Sequence, residues 1–398
     1  MRHLTRGSIL VLALLLASSH ALGQQSAMDG AVTRIELTPP EVVLQGVGAT
    51  RQLLVTGVTR SGRLVDLTHQ ASYQLAEDHV ATVSSQGVIH SELDGETSLK
   101  VRVRGKDLVA TVRVVDSSVQ RPLNFNNDVI PIMSRFGCNS SGCHGKAGGQ
   151  NGFKLSVFGF DARNDFQALV MEGRGRRVFP ASPDKSLLLR KVSGGTPHGG
   201  GVRIAQGQPE YETLHAWIKT GTPWGNDDDP RVVSIEVKPE QRVLKMGSLQ
   251  QLQVIARFSD GRQEDVTRLC SFQANNEVLG MVEASGLVQA GESPGTVAVM
   301  TTYMGQVAVF QAIIPRAEAI ARYPDVAEVN FIDRHVNDQL RKLNLLPSPP
   351  VDDATFVRRV YLDVIGTLPT AAEARNFLED ENTDRRSLLV NSLLERPE

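Results

Sequence analysis

The segments IELTPPEVVLQGVGATRQLLVTGVTRSGRLVDLT (residues 35–68) and IEVKPEQRVLKMGSLQQLQVIARFSDGRQEDVT (residues 235–267) are two copies of one pattern. Each copy opens with Ile-Glu and a nearby proline, continues through alternating apolar positions and a glycine-containing turn, and ends on Asp-x-Thr. Alternation with period two predicts half-buried β-strands, and the turn residues predict antiparallel connections between them. We therefore expect a strand-rich domain at each copy.

The repeat extends well beyond these segments, over residues 31–116 and 231–315. An internal repeat of this length predicts two domains of one fold. Short strands with frequent turns are typical of a two-sheet sandwich. Both copies resemble the group 2 bacterial immunoglobulin-like domain of surface and exported proteins, which implies a spacer or adhesive role. Neither copy has the cysteine pair of antibody domains, and Cys270 is expected to be a small buried hydrophobe.

Composition sets the broad class of the chain. Its 398 residues carry a net charge of −2, with 41% apolar and 22% charged residues, as is ordinary for globular proteins. We find no basic stripe interleaved with aromatics, so no nucleic-acid partner is expected. A basic start followed by ILVLALLLA (residues 9–17) predicts a signal peptide over residues 1–23. The protein is therefore expected to be exported, periplasmic or cell-surface, with no membrane span after signal removal.

The segment between the copies, residues 120–226, is rich in glycine and contains GCNSSGCH (residues 137–144). A c-type haem is held by thioether bonds from two cysteines, and the histidine after the second cysteine binds the iron. The usual gap between the cysteines is two residues, but here it is four. Two alternatives stay open at this stage. One is a disulfide between Cys138 and Cys143, and the other is a zinc site, which would lack an obvious fourth ligand.

The surrounding sequence favours the haem interpretation. Helical periodicity before the motif and in QPEYETLHAWIKTGTPW (residues 208–224) predicts two helices that bracket a glycine-rich middle. Four blocks together resemble the planctomycete-type cytochrome c domain: GCNSSGCHGKAGGQNGFKLSVFGFD (137–161), GRRVFPASPDKSLLLRK (175–191), PHGGGVRI (197–204) and AWIKTGTPW (216–224). The resemblance implies haem c as cofactor, attached to Cys138 and Cys143, with His144 as iron ligand. The longer cysteine gap departs from the common signature and puts the second thioether in question.

The second axial ligand is predicted from the same resemblance. Related domains carry a Met-Pro pair where this chain has Thr-Pro-His, so His198 is the candidate ligand, with Met171 as competitor and an open site as the third option. Arg176 and Arg177 are predicted to pair with the haem propionates, since a guanidinium suits a carboxylate. The alternative for both arginines is a solvated loop.

The C-terminal region changes to helical periodicity, and Asp353 is a predicted helix N-cap. Residues 326–398 resemble the start of a module of unknown function that follows this cytochrome in planctomycete multidomain proteins, and the chain is expected to be a fragment. The predicted fold is multidomain, with two all-β immunoglobulin-like sandwiches that flank a mainly α cytochrome c-like domain, followed by a partial all-α segment.

The function predicted from these features is electron transfer by one covalently bound haem. The expected partner is a redox protein or the missing C-terminal domains, and a cell-surface polymer is a further partner suggested by the immunoglobulin-like domains. No catalytic motif is present, so no catalytic residue is predicted. Two alternatives stay open: a structural or adhesive protein with a Cys138–Cys143 disulfide, or the haem-bearing part of an extracellular oxidoreductase whose catalytic part lies beyond residue 398.

Overall fold

A computed structural model describes residues 31–226, 228–318 and 320–397. The predicted signal peptide, residues 1–23, lies outside these ranges. Contacts divide the chain into two units, of which one holds both repeats and the segment between them, and the other holds most of the C-terminal helices. None of the helices in the described ranges is long and apolar enough to cross a bilayer.

The first repeat folds into three small sheets with the strand orders β1-β4-β5, β2-β10-β9-β6 and β3-β8-β7. Its strands are β1 (Val32–Thr38), β2 (Val42–Gln45), β3 (Thr50–Gln52), β4 (Leu54–Thr59), β5 (Leu64–Asp66), β6 (Ser72–Leu75), β7 (Ala81–Val83), β8 (Val88–Ser91), β9 (Gly95–Val103) and β10 (Lys106–Val115). All neighbouring pairs are antiparallel except β2 and β10, which run parallel. Alternate side chains of β9 and β10 point into one apolar core, as the period-two pattern predicts.

The second repeat has the same sheets in the same order: β11-β14-β15, β12-β20-β19-β16 and β13-β18-β17. Its strands are β11 (Val232–Lys238), β12 (Gln241–Val243), β13 (Leu249–Gln251), β14 (Gln253–Phe258), β15 (Gln263–Asp265), β16 (Ser271–Ala274), β17 (Gly280–Val282), β18 (Leu287–Ala290), β19 (Gly295–Tyr303) and β20 (Gln306–Ile314). Cys270 lies in its core with no exposed surface. The prediction of two sandwich-like β-regions is confirmed.

The two repeats are joined by a reciprocal pair of hydrogen bonds. The Asp66 carboxylate accepts from the backbone N–H of Gln251 at 2.5 Å, and the equivalent Asp265 accepts from the N–H of Gln52 at 2.8 Å. The other oxygen of each carboxylate accepts from the threonine two residues later in its own repeat. The Asp-x-Thr motif therefore both closes a local turn and holds the other repeat, which gives the pair an approximate two-fold symmetry.

Replacing Asp66 by asparagine is expected to destabilise this pairing by about 2 kcal/mol, because one charged acceptor of a backbone N–H is lost. The Asp265→Asn change should cost about the same, and the double variant should cost less than the sum, since either change weakens one shared interface. Urea denaturation measures these free energies of unfolding. Asp107→Asn, on an exposed hairpin pair, is the control. Unchanged unfolding in both single variants would contradict the interface role.

The segment between the repeats contains short helices around its own apolar core. They are α1 (Ile130–Arg135), α2 (Ala162–Phe166), α3 (Leu187–Val192) and α4 (Pro209–Lys219). Helix α4 begins with proline in its first turn, has acidic residues there and a lysine in its last turn, as the helix dipole favours. It buries Trp217, whose ring centroid lies 5.6 Å from that of Phe125.

The two ends of this segment meet. The N–H of Phe125 donates to the carbonyl of Trp224 at 3.1 Å, and the Asn127 side chain donates to the carbonyl of Pro230 at 2.8 Å. Arg163 lies over the Trp224 ring, with its guanidinium carbon 4.9 Å from the ring centroid. Entry and exit of the chain are thus clasped together at the base of the segment.

The segment docks on the second repeat. Leu269 and Met304 of that repeat pack against the core of the segment. At the end of α1, the Arg135 guanidinium donates to the carbonyls of Arg268 at 3.0 Å and Ala284 at 2.6 Å. The docked surface is therefore apolar at its centre, with charge-assisted hydrogen bonds at its edge.

The C-terminal unit is helical, which confirms that part of the predicted fold. Its helices are α5 (Phe331–Lys342), α6 (Asp353–Ile365), α7 (Ala371–Glu379) and α8 (Arg385–Leu394). The prediction of Asp353 as N-cap is off by one residue: the Asp352 side chain accepts from the N–H of Thr355 at 2.7 Å. Asp353, the first residue of α6, instead pairs with Arg385 and Arg386 of α8.

Candidate cofactor site

A cavity of about 520 Å³ lies in the middle segment, within the size range of small-molecule and cofactor sites. It is lined by all six predicted site residues: Cys138, Cys143, His144, Arg176, Arg177 and His198. They come from three separate parts of the chain, namely the loop after α1, the loop before α3 and the loop between α3 and α4. The fold therefore brings together residues that are up to 60 positions apart.

The cysteine loop is a compact turn that starts at the end of α1. The N–H of Cys138 donates to the carbonyl of Met133 at 2.8 Å, and the N–H of His144 donates back to the carbonyl of Cys138 at 3.0 Å. The turn therefore keeps Cys138 and His144 adjacent although four residues separate the two cysteines. One of these four residues, Asn139, is fully buried, and its side chain donates to the Ser134 hydroxyl at 2.9 Å.

Glycine is required at position 145, directly after the histidine. A Cβ atom there would lie 2.1 Å from the carbonyl oxygen of Asn139, which is backbone and cannot move aside cheaply. Gly145→Ala is expected to destabilise the segment by roughly 2 kcal/mol, in the range of overpacking changes, and to displace His144. Thermal denaturation followed by tryptophan fluorescence measures the loss. Gly148→Ala is the matched control, because a Cβ at position 148 meets nothing within 4 Å. Equal stability of the two variants would refute the argument.

The ring of His144 is fixed by its neighbours. Its Nδ1 lies 3.0 Å from the carbonyl oxygen of Phe153 and donates to it, since a carbonyl only accepts. This hydrogen bond leaves the Nε2 lone pair available to a metal ion, which is the usual arrangement for ligating histidines. Burial lowers the pKa of His144, so the neutral, ligating form is favoured at neutral pH.

His198 has the same arrangement of its ring nitrogens. Its Nδ1 donates to the carbonyl of Gly201 at 3.1 Å, which again leaves Nε2 free. The two imidazole planes are inclined by 7°, and their centroids are 6.4 Å apart. A metal–imidazole bond is about 2 Å long, so two rings that share one ion have centroids roughly 6 Å apart. The centroid spacing of His144 and His198 is therefore compatible with both imidazoles binding one metal ion.

Both thiols of the predicted attachment lie at the cavity. Cys138 and Cys143 both line the cavity, and both are free thiols. Burial raises the pKa of Cys138 to about 11, so this side chain is a protonated thiol at neutral pH. In the described ranges no three His, Cys, Asp or Glu side chains are grouped to hold a metal ion by themselves, as a structural zinc site would need.

The cavity is electropositive. Lys191 and Arg203 line it together with Arg176 and Arg177, and no Asp or Glu stands among its described lining residues. The N–H groups of Arg203 and Ile204 both donate to the carbonyl of Val192, which ties Arg203 beside the end of α3. Such a lining suits a ligand that carries carboxylates. Sequence reasoning missed Lys191 and Arg203: both stand in blocks that resemble the cytochrome domain, but no spacing pattern marks either of them as a cavity residue.

The two predicted arginines have different surroundings. Arg177 is buried, donates to the carbonyls of Ala168 and Gly152, and lies over the Phe153 ring at 4.6 Å. Since the Phe153 carbonyl accepts from His144, Arg177 packs against the residue that fixes the His144 ring. Arg176 lines the cavity, and its guanidinium has no hydrogen bond or ion pair within the described part of the chain. Arg176 therefore retains its donors for a carboxylate.

Met171 does not reach the cavity. Its side chain is 71% exposed at the end of the irregular turn Gln167–Met171 and is not among the lining residues. Of the two residues predicted as second ligand, His198 lines the cavity and Met171 does not.

Comparison with known proteins identifies the C-terminal region. Residues 331–398 match the family model PSCyt2, described as a protein of unknown function (DUF1549). This match confirms the predicted resemblance of that region and concerns only the C-terminal helices. No curated protein matches the chain.

Several solved structures are similar to the chain at low identity. Domains 5–6 of the S-layer protein SbsC are 11% identical, with a TM-score of 0.29, over 72% of this chain and 99% of that one. The neural ectodermal development factor IMP-L2 is 12% identical, with a TM-score of 0.24, over 72% of this chain and 96% of that one. Human protocadherin-24 EC1-2 is 8% identical, with a TM-score of 0.16, over 72% and 100%.

Proposed function

We propose that the protein is an exported, periplasmic or cell-surface c-type cytochrome that transfers single electrons through one haem. In this proposal Cys138 and Cys143 would attach the macrocycle, and His144 and His198 would hold its iron. The observation that carries it is the pair of parallel imidazoles 6.4 Å apart, each with its Nδ1 engaged by a carbonyl. Bound haem supplies reversible one-electron chemistry at its iron.

The chain's own residues set the conditions for this chemistry. The Phe153 and Gly201 carbonyls hold both imidazoles in one tautomer and increase their basicity. Apolar side chains of Leu155, Leu169 and Leu188 line the cavity and limit access of water. The cationic rim provides partners for two carboxylates, with Arg176 as the predicted residue and Lys191 and Arg203 as additional ones.

The other regions have supporting roles in this proposal. The two β-repeats act as spacer or adhesion modules, with a surface polymer as their partner. The electron partner is a separate redox protein or a further domain of a longer chain. No catalytic residue is assigned, because one-electron transfer needs positioning and electrostatics rather than an acid–base pair.

The optical spectrum of protein matured by a c-type haem-attachment system tests this proposal. We expect a Soret band, a pyridine haemochrome that survives denaturation, and a mass increase equal to one haem. His144→Ala should lose the low-spin spectrum, whereas the matched control His215→Ala, on α4 outside the cavity, should keep it. A colourless product whose mass is two protons below that of the reduced chain would establish the Cys138–Cys143 disulfide instead and end the electron-transfer proposal.

A further inference from the structure

A second cavity, of about 360 Å³, lies between the two repeats and is separate from the cofactor cavity. The first repeat contributes residues near β4 and β5 and from the turn between β9 and β10. The second repeat contributes the connection between β12 and β13. The polar and charged lining side chains are Thr59, Arg63, Asp66, Gln70, Arg104, Lys245 and Ser248. We call this cavity the inter-repeat cleft.

Because the two repeats are related by approximate two-fold symmetry, each cleft residue of one repeat can be compared with the equivalent residue of the other. Arg63 and Arg262 occupy equivalent positions at the start of β5 and β15. Arg262 is neutralised by Asp260 and Glu264 and stacks on Phe258. The first repeat has Ser61, Val65 and Thr59 at these three partner positions. Consequently Arg63 has no ion pair or side-chain hydrogen bond within the described residues.

At two further positions the first repeat has polar residues where the second repeat has apolar ones. Arg104 and Gln70 are equivalent to Met304 and Leu269, the apolar pair that the middle segment covers. In the first repeat this surface is open, and Arg104 donates to the Gln70 amide oxygen at 3.0 Å.

Lys245 replaces Gln45 and has no side-chain partner in the described part of the chain. The inter-repeat cleft therefore carries Arg104 and Lys245 where the equivalent positions of the other repeat carry Met304 and Gln45.

We propose that the inter-repeat cleft binds an anionic sugar residue of a polysaccharide. Three cations surround it, and its one carboxylate, Asp66, already accepts from Thr68 and Gln251. Hydroxyl and amide groups of Ser248 and Gln70 suit sugar hydroxyls, and apolar side chains of the cleft suit the faces of a sugar ring. Carboxylate and sulfate groups share this chemistry, because both are oxyanions that guanidinium groups bind. The proposal does not depend on haem.

Binding of three polymers to the full chain tests the proposal by calorimetry at low and high salt. Polygalacturonate presents carboxylates, dextran sulfate presents sulfates, and neutral dextran presents neither. We expect the charged polymers to bind, neutral dextran not to bind, and added salt to weaken the interaction. Arg63→Gln and Lys245→Gln should each weaken binding by roughly five-fold or more. If only one charged polymer binds, and both variants weaken its binding, the proposal is supported. The anion of that polymer is then the one that the cleft recognises.

Arg262→Gln is the matched control, since it removes the same charge from the equivalent position outside the cleft. It is expected to leave the affinity unchanged, and circular dichroism checks that each variant is folded. If Arg262→Gln proves unstable, Lys106→Gln on the hairpin of the first repeat replaces it. The proposal is overturned if neither charged polymer binds, or if the control variants weaken binding as much as Arg63→Gln does.

Discussion

Replacing His198 by methionine is expected to raise the reduction potential of the haem-loaded protein by on the order of 0.1 V. A thioether stabilises ferrous iron relative to ferric iron more than an imidazole does, so a His/Met pair has a higher potential than two imidazoles. The glycines at positions 199–201 give the loop freedom to adapt to the longer side chain. Spectroelectrochemical titration measures the potential, and the Soret band should shift with it.

His215→Met is the matched control for this change, because it alters the same side chain on α4 outside the cavity. It is expected to leave the potential and the Soret band in place. A second variant, His198→Ala, should open the site and allow cyanide or carbon monoxide to bind. If neither His198 variant changes the spectrum while covalent haem is present, His198 is not a ligand and a different side chain must hold that face.

Removing one cysteine at a time is expected to change the number of thioether bonds from two to one. Each thioether saturates one vinyl group of the porphyrin, so Cys143→Ser and Cys138→Ser should both move the pyridine haemochrome band to longer wavelength. The double variant should release its haem into acidified organic solvent. This series tests whether two thioether bonds form across the four-residue gap. The turn places Cys138 next to His144 despite the longer loop, so we expect both to form.

Cys270→Ser is the control for the cysteine series, since Cys270 lies in the core of the second repeat, away from the cofactor cavity. Its haemochrome band should match that of the unaltered protein. An unchanged band in Cys138→Ser would mean that Cys143 alone attaches the haem. An unchanged band in Cys143→Ser would exclude the attachment scheme altogether.

The β-repeats were predictable because their signal is local. Alternating residues in strands such as β9 and β10 must face one core, and the turn glycines stand at their ends. The pairing of the repeats was not predictable. Asp66 and Asp265 were visible as repeated turn residues, but their reach to Gln251 and Gln52 depends on how two folded surfaces meet. The sequence pattern does not show that one carboxylate oxygen bonds within its own repeat while the other accepts from the other repeat.

The candidate site was predictable to the extent that its residues stand in motifs. The cysteines and His144 form one short cluster, and the Pro-His-Gly run drew attention to His198. Lys191 follows Arg190 in the last turn of α3, a context in which a lysine normally faces solvent. The supporting role of Arg177 was also hidden, because its partners are backbone carbonyls, and these carry no sequence signature.

The two ends of the middle segment meet at Phe125 and Trp224, and this affects how such a segment can be engineered. Because the segment begins and ends at one point, it can be inserted into a loop of a host protein without separating the host strands on either side of that loop. Its core, however, is completed by Leu269 and Met304 of the second repeat, so a scaffold that accepts this segment has to offer an apolar surface at the same place.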